Sequence, residues 1–343
     1  MRRARLRRFP RGRSRSTPTW PSITRWTNRF FVGLLREATL LRCLMKKYLW
    51  VEDGFYKGAR ELRSVFEERF ADPRQGHSDR FVWDFWHVPD QYTLLRTPAM
   101  PYFPAATFEP FLDRLADWGR DVLGCAALSP PWLSYYIEGC QQQFHSDVPH
   151  GPWAYVFSLS PPRQVFTGGE TMLLRPQVLD YWRSFSDAED REHASFVERV
   201  APKFNRLTVF DPRLPHGVTP VKGTMDPREA RLVVHGWFTE PRPCLRGALR
   251  ASQVARPLDE AVGRFTEALA AEGLWHGVLS VRIKVAASGL AAVPEVLADT
   301  LVPVDADPRN GKRVRAALLR ELGNLKFPKA KTASVITLPL LFR

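Results

Sequence analysis

A series of short segments between residues 132 and 238 limits the possible folds most strongly. Each segment is rich in β-branched or aromatic residues and stops at a Gly, Pro or Asp turn signal. Brief strands with frequent turns are typical of an all-β sandwich or barrel. The segments are WLSYYIEG (132–139), WAYVFSLS (153–160), ETMLLRP (170–176), RLTVFDP (206–212) and ARLVVHGWF (230–238).

Two helices are predicted ahead of this region. The segment 56–70 carries Leu62 and Phe66 at helical spacing, and the segment 107–124 does the same with Phe111 and Leu115. We therefore predict a fold that is mainly β with flanking helices.

The pattern changes again after residue 240. The stretch 241–259 is rich in Pro and Arg and is typical of a linker. Beyond it, VLSVRIKV (278–285) alternates apolar and polar residues, as a half-buried strand does, and helical and strand-like segments follow. The sequence therefore predicts a mainly β domain over 45–240, a linker over 241–259, and a small α+β domain over 260–343 with a separate core.

Most of the net charge of +14 comes from the N-terminus, because residues 1–36 contain 11 Arg and no acid, whereas the remainder carries only +3. We predict a basic tail and an amphipathic helix over residues 1–44. The tail has three interpretations: an arm for nucleic acid or another anionic surface, an organelle-targeting segment, or an over-extended start with Met45 as the true first residue. The apolar run at 30–45 contains charges and falls short of the ~20 residues that span a bilayer.

The four cysteines are widely spaced and include no Cys-x-x-Cys pair. Neither a zinc knuckle nor a disulfide framework is indicated, so a reducing compartment is expected. The predicted location is cytoplasmic, with organelle targeting left open.

Candidate chemistry centres on His145 and Asp147 in QQQFHSDVPH (141–150). A lone His-x-Asp pair is common by chance, but His216 and Arg231 follow downstream. Two histidines and one carboxylate can occupy one face of an octahedral Fe(II) and leave three positions open. The 2-oxo acid end of 2-oxoglutarate can fill two of them and O2 the third, while a buried arginine pairs with the far carboxylate. His150 is expected in a loop, and His235 is expected in the core.

The order of these parts resembles the prolyl 4-hydroxylase-like family of Fe(II)/2-oxoglutarate dioxygenases over residues 47–240. The matching parts are Tyr136 and Gly139 ahead of FHSD, then YVFSLS, GGETMLL, LTVFDPRLPHGVTPV, and Arg231 before LVVHGWF. The resemblance implies a double-stranded β-helix (jelly roll), metal ligands His145, Asp147 and His216, and cofactor-binding residues Arg231 and Tyr136. It also implies Fe(II), with 2-oxoglutarate and O2 as co-substrates and ascorbate as a reductant.

Two departures from the family are visible. The segment between His216 and Arg231 is longer than is common, and Phe157 stands where some members have a Tyr that helps to bind the co-substrate.

The resemblance also narrows the reaction. Halogenating relatives lack the carboxylate ligand, whereas Asp147 is present here. Nucleic-acid dealkylases carry a second Arg six positions after the first, and that position is Trp237. A nucleic-acid substrate is therefore not expected, and hydroxylation of a carbon centre is favoured.

The C-terminal part weakly resembles TonB C-terminal-like domains over about residues 270–343, which implies a protein or peptide interaction module. Together the two resemblances predict a 2-oxoglutarate-dependent hydroxylase acting on a prolyl or other residue of a protein or peptide. The alternative is a non-catalytic β-helix scaffold whose C-terminal domain mediates protein interaction.

Overall fold

A twelve-stranded antiparallel sheet contains the region in which short strands are predicted. The computed structural model describes residues 47–71, 83–148, 150–176, 178, 195–270, 272–305, 307 and 310–342, so the predicted N-terminal tail and helix lie outside the described residues. The strands are β1 (Leu49–Asp53), β2 (Asp84–Val88), β3 (Tyr92–Pro98), β4 (Cys125–Leu128), β5 (Trp132–Tyr136), β6 (Gln141–His145), β7 (Trp153–Ser158), β8 (Thr171–Leu174), β9 (Val197–Val200), β10 (Arg206–Phe210), β11 (His216–Val218) and β12 (Arg231–Pro241).

The sheet runs in the order β1-β10-β7-β12-β5-β3-β6-β11-β8-β9, with β2 added beside β3 and β4 beside β12. Residues from distant places in this order, among them Phe210 of β10, Tyr136 of β5 and Thr171 of β8, line one cavity. The sheet therefore curls around that cavity, and the expected double-stranded β-helix is confirmed.

Within the described residues, three α-helices flank the sheet: α1 (Ala59–Ala71), α2 (Ala99–Tyr102) and α3 (Ala105–Trp118), the last continued by a π-helical turn over Gly119–Leu123. The apolar residues at helical spacing in the sequence form the buried faces of α1 and α3. Leu62, Phe66, Phe111 and Leu115 are fully buried. The ring of Phe111 lies 4.7 Å from that of Phe157 on β7. Each such side chain contributes roughly 1.5–3 kcal/mol by leaving water.

A second, five-stranded antiparallel sheet follows, with α4 (Ala251–Ala270) and α5 (Gly311–Gly323). Its strands are β13 (Cys244–Gly247), β14 (Trp275–Val285), β15 (Glu295–Asp299), β16 (Val302–Pro303) and β17 (Ser334–Phe342). The order is β13-β17-β14-β15, and β16 pairs with β14.

The interpretation of residues 241–259 as a linker is wrong. This stretch contains β13, which pairs with β17, and the start of α4, which begins at Ala251. Val254, Leu258 and Ala261 are buried at helical spacing, and their burial outweighs the backbone hydrogen bond that Pro257 cannot donate. The linker prediction relied on the Pro and Arg content of the stretch, which in fact forms a strand and the first turns of a helix.

The C-terminal elements have a core of their own but also share a boundary with the first sheet. Leu279, Ile283, Leu318 and Ile336 belong to the C-terminal core. Val278 of β14, however, packs into the core of the first sheet. Within the described residues, no helix has the length and apolarity needed to span a membrane.

Candidate active site

Strand pairing brings the two predicted histidine ligands together. β11 pairs antiparallel with β6, and His216 stands directly opposite His145. Their rings lie 4.5 Å apart between centroids. Asp147 follows β6 by two residues, and its backbone N–H donates to the Pro212 carbonyl over 3.0 Å, which holds it beside the segment leading to His216.

The donor atoms of these three residues converge. The Asp147 carboxylate lies 3.6 Å from Nε2 of His145 and 3.3 Å from Nε2 of His216. One ligand atom from each residue fits within 4.8 Å of the others, so the group could hold a metal ion. In the described part of the chain this is the one group of three such side chains with that geometry.

Both histidines are oriented in the same way by their own strands. Nδ1 of His145 lies 2.8 Å from the Gln143 carbonyl, and Nδ1 of His216 lies 2.9 Å from the Leu214 carbonyl. Because a carbonyl only accepts, Nδ1 carries the hydrogen in each neutral ring. The Nε2 lone pairs therefore face Asp147, which is the arrangement a metal-binding imidazole requires.

The protonation states suit metal ligation. Burial lowers the pKa of His145 and so favours its neutral, ligating form. For Asp147, burial raises the pKa, but the adjacent His216, together with His145 and His150, lowers it below its usual value. The carboxylate is therefore ionised at neutral pH.

Arg231 lies in the same cavity, which has a volume of about 590 Å³. It opens β12 directly opposite Tyr136 of β5, and its guanidinium carbon stands 4.5 Å from the centre of the Tyr136 ring. The side chain is 1% exposed. Its Nε donates to the Gly169 carbonyl over 2.7 Å and its Nη2 to Thr171 over 3.3 Å.

Nη1 of Arg231 is buried and has no hydrogen-bond partner among the described residues, and no described carboxylate forms an ion pair with this guanidinium. An unpaired buried guanidinium is costly, so a bound anion is the natural partner. The Tyr136 hydroxyl, which also lines the cavity, donates to Oε1 of Gln142 over 2.9 Å.

The turn at Gly168 and Gly169 also supports Arg231. Both glycines have positive φ, and a Cβ on Gly168 would stand 1.8 Å from the Pro220 carbonyl oxygen. The close approach of these backbones brings the Gly169 carbonyl to Nε of Arg231.

The structure corrects the expected position of Phe157. Its side chain is fully buried in the core against Phe55 and Phe111, and Val156, its neighbour on β7, lines the cavity instead. Since neighbouring residues of a strand point to opposite faces, a Tyr at position 157 would also point away from the cavity.

Sequence reasoning missed several cavity residues. His235, expected in the core, lies in the cavity wall with Nε2 2.8 Å from Ser134 Oγ, and burial lowers its pKa to about 4. His150 is not one of the three converging residues, as expected, and its ring lies against Trp237. Arg96, Trp86 and Trp132 also line the cavity. Alternation along β3 and β5 was the available signal for these residues, because one face of each strand lines the cavity.

Comparison with known proteins agrees with this geometry. Residues 131–239 match the family described as the 2OG-Fe(II) oxygenase superfamily, whose members use Fe(II) and 2-oxoglutarate. A search of curated proteins found no match.

Similar solved structures include two prolyl hydroxylases. One is a Pseudomonas putida prolyl-4-hydroxylase, at 18% identity and a TM-score of 0.40, covering 59% of this chain and 98% of that one. The other is a Trichoplax adhaerens prolyl hydroxylase in complex with a hypoxia inducible factor peptide fragment, at 14% identity and a TM-score of 0.36, covering 63% of this chain and 94% of that one.

Proposed function

We propose that this chain, a 2OG-Fe(II) oxygenase through its residues 131–239, hydroxylates a carbon centre in a prolyl or other residue of a protein or peptide. His145, Asp147 and His216 hold Fe(II), and Arg231 with Tyr136 holds 2-oxoglutarate. One observation carries the proposal: the two Nε2 atoms and the ionised carboxylate converge in the cavity that also contains the unpaired Nη1 of Arg231.

The donor set fits Fe(II). Two imidazoles and one carboxylate are the facial triad of non-haem iron oxygenases, which leaves open positions for other ligands. Bound there, Fe(II) supplies the chemistry that couples O2 to the decarboxylation of 2-oxoglutarate. The residues themselves fix the ligand atoms: the Gln143 and Leu214 carbonyls keep both Nε2 atoms aimed at Asp147.

Arg231 fits the distal carboxylate of 2-oxoglutarate. Gly169 and Thr171 hold Nε and Nη2, so the remaining edge of the guanidinium is oriented before any ligand binds. Charge-assisted hydrogen bonds from a fixed guanidinium are roughly twice as strong as neutral ones. Tyr136 covers one face of the guanidinium and excludes water from that contact.

Exposed apolar side chains beside the metal ligands support a macromolecular substrate. Phe144 precedes His145 and is 43% exposed, and Val148 follows Asp147 and is 61% exposed. Trp237 lines the cavity nearby. Large apolar side chains next to a cavity are typical of a surface that contacts a peptide or protein.

Mass spectrometry of peptides tests the proposal. Full-length protein with Fe(II), 2-oxoglutarate and O2 is incubated with a defined library of capped proline-containing peptides. We expect some peptides to gain the mass of one oxygen atom, with one succinate formed for each. The Asp147→Ala variant should give neither product. Succinate formation without a modified peptide at any member of the library would contradict the peptidyl substrate, and no succinate at all would contradict the enzyme.

A further inference from the structure

A second guanidinium, that of Arg96, lies in the wall of the cavity between two indole rings. Its central carbon is 3.0 Å from the centre of the Trp86 ring and 4.0 Å from that of the Trp132 ring. Strand register explains the arrangement. Arg96 on β3 stands opposite Asp84 of β2 and Ser134 of β5, so the two tryptophans, two residues further along, are its diagonal neighbours on the same face.

The two indole rings hold the guanidinium of Arg96 in the cavity wall. The cation–π contact with each ring stabilises the charged side chain. The guanidinium N–H groups are the part of the side chain left to bind a ligand.

Those N–H groups are not used within the described protein. Arg96 makes no hydrogen bond and no ion pair with any described residue, and its Nε is buried without a partner. Asp84 acts on Arg96 electrostatically but lies beyond ion-pairing distance. A buried donor without a partner is destabilising, and more so when the group is charged. A ligand that supplies an acceptor removes this cost.

The charges around the cavity indicate what kind of acceptor is missing. Among the described residues that line it, Asp147 is the only acid, whereas Arg96 and Arg231 are both cations. Under the proposed function, the charges of Fe(II), Asp147, doubly ionised 2-oxoglutarate and Arg231 cancel. His235 adds no charge at neutral pH, because burial and the two arginines lower its pKa to about 4. The positive charge of Arg96 is then left without a counter-charge in the cavity.

We infer that Arg96 receives a carboxylate of the substrate, so that the enzyme selects a substrate with an anionic group close to the carbon that is oxidised. The inference rests on the proposed function, because it assigns 2-oxoglutarate to Arg231 and leaves Arg96 to the second substrate. The carboxylate belongs either to an acidic side chain beside the modified residue or to the modified residue itself.

Calorimetric titration tests this without turnover. Full-length protein is loaded with Mn(II) and saturated with 2-oxoglutarate in the absence of O2. The probes are N-acetyl-Ala-Pro-Asp-amide, the same peptide with Asn in place of Asp, and N-acetyl-proline. We expect at least one carboxylate probe to bind about tenfold or more tightly than the Asn peptide, as expected for a charge-assisted contact. Preference for the Asp peptide identifies a neighbouring acidic side chain, and preference for N-acetyl-proline identifies the carboxylate of the modified residue.

Arg96→Gln should remove that preference and leave 2-oxoglutarate binding unchanged. Arg114→Gln is the matched control, because Arg114 also stacks on an aromatic ring, Phe55, but does not line the cavity. Arg96→Lys keeps the charge without the planar stack and should retain part of the preference; it replaces Arg96→Gln if the latter does not fold.

Three outcomes would overturn the inference. They are equal binding of the carboxylate and Asn probes by the wild type, no binding of any probe, and a preference that is undiminished in Arg96→Gln or, if that variant does not fold, in Arg96→Lys. Loss of 2-oxoglutarate binding in Arg96→Gln would also overturn it, because Arg96 would then serve the co-substrate. Failure of the metal-loaded wild type to bind 2-oxoglutarate is a separate result, since it would refute the proposed function itself.

Discussion

The two candidate histidine ligands are set apart from the other histidines that the structure describes by one local feature. In each, Nδ1 is bonded to the backbone carbonyl two residues earlier, at Gln143 and Leu214. The bond forms within the same short stretch of chain, so the ring orientation does not depend on distant packing. His87, by contrast, is exposed and its Nδ1 pairs with the Thr93 hydroxyl.

Arg231→Lys tests the assignment of the co-substrate site at the residue scale. A lysine keeps the positive charge but lacks the planar guanidinium. It cannot donate hydrogen bonds to Gly169 and Thr171 and at the same time present a second N–H edge to a carboxylate. We expect the KM for 2-oxoglutarate to rise at least about tenfold, the loss of roughly one charge-assisted hydrogen bond. Metal affinity should not change. Arg228→Lys is the control, because Arg228 pairs with Asp226 on the surface. A changed metal affinity with an unchanged KM would mean that Arg231 is misassigned.

His235 predicts a pH effect on stability. Burial, with the charges of Arg231 and Arg96, lowers its pKa to about 4 from an ordinary 6.5. Between these values the unfolded chain binds a proton that the folded chain does not, so the free energy of unfolding falls as the pH drops from 6.5 towards 4. Over this range, the free energy of unfolding of the metal-free wild type should fall by on the order of 2 kcal/mol more than that of metal-free His235→Gln. The free energies of unfolding of both proteins are measured by urea titration at pH 7.5 and pH 4.5. An equal fall in the two proteins would contradict the neutral state of His235.

The elements that build the site are the ones that sequence patterns describe least well. Alternating apolar residues predict β5, β7, β10 and β12 because these strands pack against a core. The sequence of β6, QQQFH, shows no such alternation, because its side chains face the cavity or solvent. The β2–β3 hairpin is crowded with aromatic residues that line the cavity, which also hides the strand period. His145, Asp147, His216 and Arg231 were found by residue type and order, whereas Arg96 depends on strand register that the sequence does not reveal.

Gly168→Ala tests the role of the turn between β7 and β8. The φ of +76° disfavours any side chain, and the new Cβ would meet the Pro220 carbonyl. We expect a loss of about 2 kcal/mol or more in unfolding free energy and weaker binding of 2-oxoglutarate, because the Gly169 carbonyl that holds Arg231 must shift. Gly263→Ala, at an open position within α4, is the control and should stabilise the protein by about 0.5–1 kcal/mol. Unchanged 2-oxoglutarate binding in Gly168→Ala would show that this turn does not position Arg231.

At the scale of the whole molecule, the C-terminal sheet is tied to the site as well as to its own core. Arg213 pairs with Asp211 and donates to Thr300 Oγ1 over 2.7 Å. The same short segment supplies the Pro212 carbonyl that accepts from Asp147 and leads into His216. Ser280 on β14 donates from a buried hydroxyl to the Leu123 carbonyl. The prediction from the sequence that the C-terminal part has a separate core therefore needs a direct test of whether the site depends on it.

Truncation after residue 255 provides that test. A fully separate core would leave binding of Fe(II) and 2-oxoglutarate intact in such a chain, but the contacts of Arg213 and Ser280 lead us to expect a lower Tm and weaker metal binding. Thr300→Val in the full-length chain is a milder version and should cost about 1 kcal/mol, because it removes the hydroxyl that Arg213 contacts. A truncated chain with the Tm and metal affinity of the full-length protein would show that the oxygenase core is independent.

Metal binding by the three candidate ligands is the most direct test of the account. Full-length wild type, His145→Ala, Asp147→Ala and His216→Ala are titrated with Fe(II) without O2, with His87→Ala as the matched histidine control. We expect one Fe(II) per wild-type chain, unchanged affinity in His87→Ala, and a loss of at least about a hundredfold in each of the three ligand variants, since even residues that only orient a metal ligand contribute ten- to a hundredfold. Wild-type affinity in any one of those three variants would contradict the assignment of the site.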